Sequence, residues 1–520
     1  MSNRNNSRLK TVSLVILITL MSKVLGLGRD MLQGQTFGTG FEADALAAAS
    51  LLPRLFFDAV FASAVSASFI PVFNEVLERE GRDEAFRLAG SFFTVVGLAA
   101  ATVTVFGMAF SSDLLGLIGN FANPKTAVLA SRLLQIIFPS LFLAGLAFSM
   151  VGVLNSFGEF NIPAAMSLVS NAILILYFLF FAGRFGVYGA AVALLIGWVA
   201  QALMQVPSLR KTGFRYRPSL WHPGLRKIFK LMPPVMVSTW VLPINMLIMT
   251  FWFGATLPGG ASSLNLANGL YMMIAGVFVL SVTNVIFPEM SRLSVAGDRG
   301  ALCDLVRETL RTLLFLLIPM TVGLMLLATP LVRLLYEHGA FCAQSTELKT
   351  SALFFMSIGM VGYGIQTVLF RAFYAEKRGK IPLLSGLLSV VTTFTLCFLL
   401  VERMGVAGLG LASAASFLVT TLVLVPAAHR MLDGRLVTRA LILALGKMVI
   451  AALIMGFAVY FLRDVLASAL GDDNVPARLT LVGIPAALGV TLYMALAYVF
   501  RLDEIKTVFA ILRRRGKGEA

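Results

Sequence analysis

Phe185-Gly186-Val187-Tyr188-Gly189-Ala190 returns as Met404-Gly405-Val406-Ala407-Gly408-Leu409, 219 residues later, and each copy joins two long apolar runs. Two further stretches keep nearly the same spacing. Asn161-Ile162-Pro163 matches Lys380-Ile381-Pro382 at 219, and Phe69-Ile70-Pro71 matches Ile286-Phe287-Pro288 at 217. Three matches in one order and at nearly one offset mark an internal duplication.

The runs flanking these matches show what was duplicated. Residues 383–401 hold no ionisable side chain except Cys397, and a stretch of about 18 or more apolar residues reads as a membrane span. Cutting the chain at its polar, Gly and Pro breaks predicts about 14 helices, at 11–32, 43–73, 88–118, 127–155, 162–183, 187–206, 229–253, 264–288, 305–328, 346–373, 382–401, 405–427, 438–463 and 477–500. The repeat offset spans six of them, so both copies enter the bilayer in the same sense, a parallel repeat about the membrane normal. The expected fold is an all-α polytopic membrane protein of two six-helix lobes plus two C-terminal helices. Residues 1–206 form the first lobe, 207–228 a basic linker, 229–430 the second lobe, and 431–520 helices 13 and 14 with a basic tail. In a repeat of this kind cargo is held between the lobes and access alternates.

Composition agrees: 58% of residues are hydrophobic and 13% charged, about half the charged fraction of a soluble domain. The net charge of +16 does not point to nucleic acid, which needs a contiguous basic face. The cations cluster instead in alternate connections, such as Arg210, Lys211, Arg215 and Arg217, then Arg371, Lys377, Arg378 and Lys380, and finally Arg513 to Arg515. Connections on the other side carry both signs, such as Asp472 and Asp473 with Arg478. The positive-inside bias then puts both termini in the cytoplasm. The basic start runs into Thr11–Gly28 with Lys23 and Arg29 close behind and no small-residue cleavage site, which reads as a first transmembrane helix rather than a leader.

Little in the chain suggests catalysis. His222, His338 and His429 fall in separate loops, Cys303, Cys342 and Cys397 have no metal-ligand spacing, and there is no phosphate-cradling Gly-rich loop. The reading is a carrier, not an enzyme, without metal or cofactor.

Charge inside the membrane says more, because a cation at a helix centre costs about 2.5–3.5 kcal/mol on insertion scales. Lys23, Arg29 and Asp30 lie in the first helix, Asp44 at the outer start of the second, and Arg54 about three turns into it. Their counterparts in helices 7 and 8 hold no charge before Glu289. This asymmetry points to an anion-binding surface on the first lobe; snorkelling cations and structural ion pairs are the alternative. Asn245, Asn265, Asn268 and Asn284 either line a cavity or bond neighbouring helices. Pro53, Pro71, Pro233, Pro234, Pro243 and Pro288 are expected to bend helices, and Tyr336 to Phe341 to form an outer loop with solvated charges.

Taken together, Ser22-Lys23-Val24-Leu25-Gly26 with Gly28-Arg29-Asp30, Ala43-Asp44-Ala45, Phe69-Ile70-Pro71, Leu154 to Gly158, Pro288 to Arg292, Tyr336 to Phe341 and Arg371 to Ala375 resemble the MurJ (MviN) lipid II flippases of the multidrug/oligosaccharidyl-lipid/polysaccharide exporter superfamily. They cover nearly the whole chain. The resemblance implies export of lipid II, the undecaprenyl-pyrophosphate-linked peptidoglycan precursor, from the inner to the outer leaflet of the bacterial cytoplasmic membrane. Its implied partners are that lipid, membrane lipids and cell-wall synthesis proteins. Ser22, Lys23, Arg29, Asp30 and Asp44 match the family's cavity residues, whose cations meet the pyrophosphate; membrane potential is the expected driving force.

Three positions depart from the family pattern. Lys23 replaces an arginine and loses its bidentate geometry. Phe57 and Asp58 stand where the family has paired arginines, with Arg54 one turn earlier as a substitute, and Gly269 stands where the second lobe has its arginine. These departures leave two alternatives in view: export of another polyprenyl-linked saccharide, and small-molecule or drug antiport on the same fold. Helices 7 and 11 have no acidic residue, so no sodium site is expected.

Overall fold

The computed structural model describes residues 2–56, 65–119, 121–471 and 474–505. Phe57, Asp58, Asp472, Asp473, Lys506 and Arg513 to Arg515 lie outside the described residues. Among those described there is helix and no strand.

Helix occupies part of every one of the fourteen expected stretches. The first is α1 (Ser2–Phe37); the second contains α2 (Phe41–Phe56), a π-helical turn (Val65–Phe69) and α3 (Ile70–Arg79). The third is split at Phe110 into α4 (Arg82–Ala109) and α5 (Ser111–Ile118), and the fourth at Phe138 into α6 (Pro124–Ile137) and α7 (Pro139–Ser156). Next come α8 (Asn161–Phe180), α9 (Ala182–Leu203) and the short α10 (Val206–Lys211). The seventh stretch holds α11 (Pro223–Thr239), α12 (Val241–Leu247) and a π turn (Ile248–Phe253). The eighth holds α13 (Gly260–Tyr271), a π turn (Met272–Gly276) and α14 (Val277–Ala296). The rest are α15 (Arg299–Tyr336), α16 (Ala343–Ile358) with α17 (Met360–Ala375), α18 (Lys380–Met404), α19 (Val406–Met431), α20 (Arg439–Leu470) and α21 (Val475–Val499). Among the described residues ten helices are long and apolar enough to cross a bilayer, or eleven if the bent α16–α17 pair is one span.

Local chemistry sets these boundaries. Asn123, Asp298 and Thr438 each use a side-chain oxygen to accept a backbone N–H of the first turn of α6, α15 and α20, replacing an intrahelical partner that is missing there. Pro53, Pro243 and Pro288 lie within helices. The π turns stand close to Pro71 and Pro243, so the ladder is re-registered beside the residue that cannot donate to it.

The duplication is visible in the backbone. Gly186, where α9 begins, has φ 51° and ψ −146°, and Gly405, at the start of α19, has φ 58° and ψ −134°. Both lie in a region open to glycine and strained for other residues. The two glycines are the repeat-equivalent pair found in the sequence, and α8 and α18 begin 219 residues apart at Asn161 and Lys380.

By their packing, residues fall into two compact units: 1–266 with 338–342, and 267–337 with 343–520. This division differs from the sequence repeat, whose second half begins earlier. In the first unit α1 packs on α8, α2 on α6 and α4 on α7. Leu46, Ala49, Leu133, Leu134 and Phe138 are buried there in one apolar cluster. The expected linker is not a loose tether. Phe214 is buried against Phe86 and Phe93, with ring centroids 5.5 and 5.3 Å away, and Gly90 of α4 leaves room for the Arg217 carbonyl, which an added Cβ would meet at 2.5 Å. In the second unit α15 packs on α16, α17, α20 and α21, and α18 on α19. Outward faces are apolar, with Phe457, Leu422 and Phe180 more than 70% exposed, as expected of surfaces that meet hydrocarbon rather than water.

The Tyr336–Phe341 segment differs from the expected solvated loop. Glu337 is half-buried and accepts from Thr346 Oγ1 at 2.5 Å and from Arg478 Nη2 at 3.3 Å. Farther along, Ala340 donates its N–H to the Gln35 carbonyl at the end of α1. Both ends of the segment are spent on packing because α1 and α15 end with carbonyls that need donors.

Candidate cargo-binding site

On α1 the residues of interest fall on two adjoining strips. Ser22, Gly26 and Arg29, spaced by four and three, face α8; Lys23 and Asp30, seven apart, lie one position round. Gly26 lets the helices approach, since a Cβ there would sit 3.4 Å from Asn171 Nδ2. Asn171, on α8 and buried, donates from Nδ2 to the Ser22 carbonyl at 3.1 Å and accepts on Oδ1 from Arg29 Nη1 at 3.2 Å. The Arg29 guanidinium also donates through Nε and Nη2 to Asp30 Oδ1, at 3.0 and 2.6 Å. One amide thus holds both the backbone and a cation of α1. Asp30 offsets part of the charge and leaves about a third of the Arg29 side chain exposed.

Lys23 is exposed, with no ion pair to it among the described residues. Ser22 is buried, and its hydroxyl oxygen has no hydrogen-bond partner among the described residues. Arg54, in the last turn of α2, is exposed.

Asp44 is set differently from the α1 group. It is buried on the first turn of α2, and all its acceptor capacity on view goes to the start of α13. Oδ2 accepts from the Gly259 N–H at 2.7 Å, while Oδ1 accepts from the Ser262 N–H at 2.8 Å and the Ser262 hydroxyl at 2.7 Å. Gly259 has no side chain to cap α13, so Asp44 supplies the cap from another helix and sets its negative charge at the positive end of the α13 dipole.

Asn245 is buried on α12, and Asn265 and Asn268, three apart, lie half-buried on one face of α13. The Asn284 side chain lies outside what is described. Two histidines have structural roles: His222 lies 3.2 Å from Glu84 and accepts the Gly224 N–H, and His429 accepts the Val437 N–H. Among the described residues no three His, Cys, Asp or Glu side chains are grouped as metal ligands would be.

Asn171 was absent from the sequence reading. A lone amide in the apolar run 162–183 was the available signal, of the same kind as Asn245 and Asn265. The Ser262 cap had a signal too: it stands 218 residues after Asp44, within the spread of the repeat offsets.

An all-helical membrane carrier with a braced cationic first helix is the class these features define. Its fold is similar to that of a solved structure described as "Lipid II flippase MurJ, inward closed conformation", with a TM-score of 0.79 at 25% identity over 95% of this chain and 99% of that one. The same fold occurs, at 15% identity and a TM-score of 0.65 over 81% of this chain and 98% of the other, in an inward-facing multidrug resistance MATE family transporter of the MOP superfamily. A curated relative from Vibrio cholerae, named "Probable lipid II flippase MurJ", is 28% identical over 96% of this chain and 97% of its own length. The family model described as "Lipid II flippase MurJ" matches residues 34–477, and the chain belongs to that family.

Proposed function

We propose that this protein carries lipid II from the inner to the outer leaflet of the bacterial cytoplasmic membrane by alternating access, and does no covalent chemistry on it. The observation that supports this reading most is the α1 group: exposed Lys23 beside Arg29, whose guanidinium is held by Asn171 and Asp30. A pyrophosphate leaving water needs charge-assisted donors fixed before it arrives, since ordering them afterwards would weaken binding. Arg29 meets that need as a held fork and Lys23 as a mobile point charge. Asp30 keeps the group from being a permanent anion trap. Ser22, with its hydroxyl unbonded, is placed to donate to the same anion. Asp44 acts by positioning α13, and Arg54 is a further cation for the cargo. Asn245, Asn265 and Asn268 would meet its sugar or peptide. Cytoplasmic termini follow from the basic connections, and the six-helix repeat remains the frame for alternating access, with 207–228 joining its halves.

The test is lipid II exposure in proteoliposomes. Wild type should move lipid II to the opposite leaflet, Lys23→Ala and Arg29→Ala should lose most of that movement while remaining inserted, and Lys23→Arg should keep it. Full transport by both alanine variants would sink the anion-site reading. One observation favours a second cargo: Phe57, Asp58 and Gly269 stand where relatives of this resemblance carry arginines. Movement of another polyprenyl-pyrophosphate saccharide in the same vesicles, with none of lipid II, would establish it.

A further inference from the structure

Away from the α1 group, a cavity of about 430 Å³ opens in the second unit among the ends of α15, α20 and α21. Its wall carries three guanidinium groups, Arg333, Arg463 and Arg478, one carboxylate, Asp464, and the small residues Thr329 and Ala467. Each element donates one arginine: α15 gives Arg333, α20 gives Arg463 and α21 gives Arg478. Two are fixed by backbone acceptors. Arg463 Nη1 donates to the Leu326 carbonyl at 2.8 Å, and Arg478 Nη1 to the Arg333 and Glu337 carbonyls at 3.2 and 3.1 Å. Glu337 sits behind them, 3.3 Å from Arg478 and 3.6 Å from Arg333. Counting Asp464 and Glu337 against the three arginines leaves an excess of one positive charge, with guanidinium N–H groups turned toward a cavity.

The surroundings say what kind of anion fits. Arg463 lies seven residues before the end of α20, a depth of about 10 Å at helical rise, which is the headgroup level of a span. Below it on α20, Phe457 and Phe461 are 75% and 64% exposed, and Leu479 on α21 is 60% exposed. An arginine-lined cavity directly above a bare apolar surface is complementary to a phosphate carried on acyl chains. A soluble phosphate would satisfy the cavity and leave the apolar face unused.

We propose that this cavity binds the phosphate of an anionic phospholipid, with the acyl chains lying against α20 and α21. The charge bias of the connections puts it in the outer leaflet. The lipid would join the three helix ends, because each supplies a donor to one phosphate group.

The experiment uses the full-length protein in detergent, titrated with phosphatidylglycerol and followed by native mass spectrometry. Ala467→Glu adds a carboxylate to the cavity wall at an exposed position and removes none of the arginine bonds; Ala467→Gln is its uncharged match. Loss of one charged hydrogen bond corresponds to about tenfold in affinity, so Ala467→Glu should weaken phosphatidylglycerol binding by about that factor or more. Ala467→Gln should leave it near wild type. Arg463→Gln should weaken it as well, and diacylglycerol, which lacks the phosphate, should bind poorly. Equal binding by wild type and Ala467→Glu would overturn the proposal. Displacement of the lipid by inorganic phosphate at matching concentration would overturn it too, by assigning the cavity to the free anion.

Discussion

Asp44 and Ser262 stand 218 residues apart, which makes them equivalent positions in the two copies of the repeat, and they touch: Asp44 Oδ1 accepts both the N–H and the hydroxyl of Ser262, at 2.8 and 2.7 Å. The duplication therefore did more than double the helices. It brought the starts of two equivalent helices together and let one copy acquire the carboxylate and the other the donors.

Replacing Asp44 by Ala leaves two backbone N–H groups and a hydroxyl without their acceptor. Bonds to a charged group contribute about 1.5–3 kcal/mol each, and they share one side chain, so the loss should be about 3 kcal/mol. Thermal unfolding in detergent should show a lowered midpoint for Asp44→Ala and a smaller drop for Asp44→Asn, which keeps one oxygen. Lipid II movement should fall in both. An unchanged midpoint for Asp44→Ala would contradict the cap.

Asn171→Leu removes the amide that ties Ser22 and Arg29 of α1 to α8. Interhelical hydrogen bonds in membranes are worth about 0.6–1.7 kcal/mol, so stability should change by about 1 kcal/mol while transport falls far more. Comparing the melting midpoint with the transport rate in the same preparation separates the two effects. Equal, small losses in both would make Asn171 only a packing residue.

How much of this could be read in the chain depended on how each interaction is encoded. The repeat was legible because glycine and proline spell out backbone geometry directly: Gly186 and Gly405 were matched as letters before their dihedral angles were known. The α1 charges were legible because charge is costly inside a membrane and stands out against apolar runs. The Asn171 brace was hidden, since an amide costs less to bury and one letter in an apolar run does not name its partner. The loop at Tyr336–Phe341 misled for a related reason. Glu337 reads as a surface charge until Arg478, 141 positions later, is found beside it.

Gly186→Ala and Gly405→Ala test the duplication energetically. Neither site has an atom within 4 Å of an added Cβ, so the cost is conformational alone, about 1–2 kcal/mol. The two substitutions should lower the unfolding midpoint by similar amounts. A large difference between them would mean that the two turns are held by different forces.

Phe214→Ala should release the basic linker from α4. The ring is buried between Phe86 and Phe93, and truncating a buried phenylalanine costs about 3–5 kcal/mol. Limited trypsin digestion should then cut faster at the exposed Arg215 and Arg217. Unaltered cleavage would show that the remaining contacts to α4, such as Thr94 with Tyr216 at 2.9 Å, are enough to hold the strand.

The matched glycine turns also bear on how such a carrier could change its cargo. Because α8–α9 and α18–α19 are cast from one mould and pinned at the same unusual angle, the scaffold is insulated from the chemistry written on α1. Mutations there can trade arginine for lysine, or discard a cation, without disturbing the hinge points that hold the hairpins in shape. A lineage built this way can drift in what it carries while its machinery stays recognisable, and the missing arginines of this chain are the kind of change that such insulation permits.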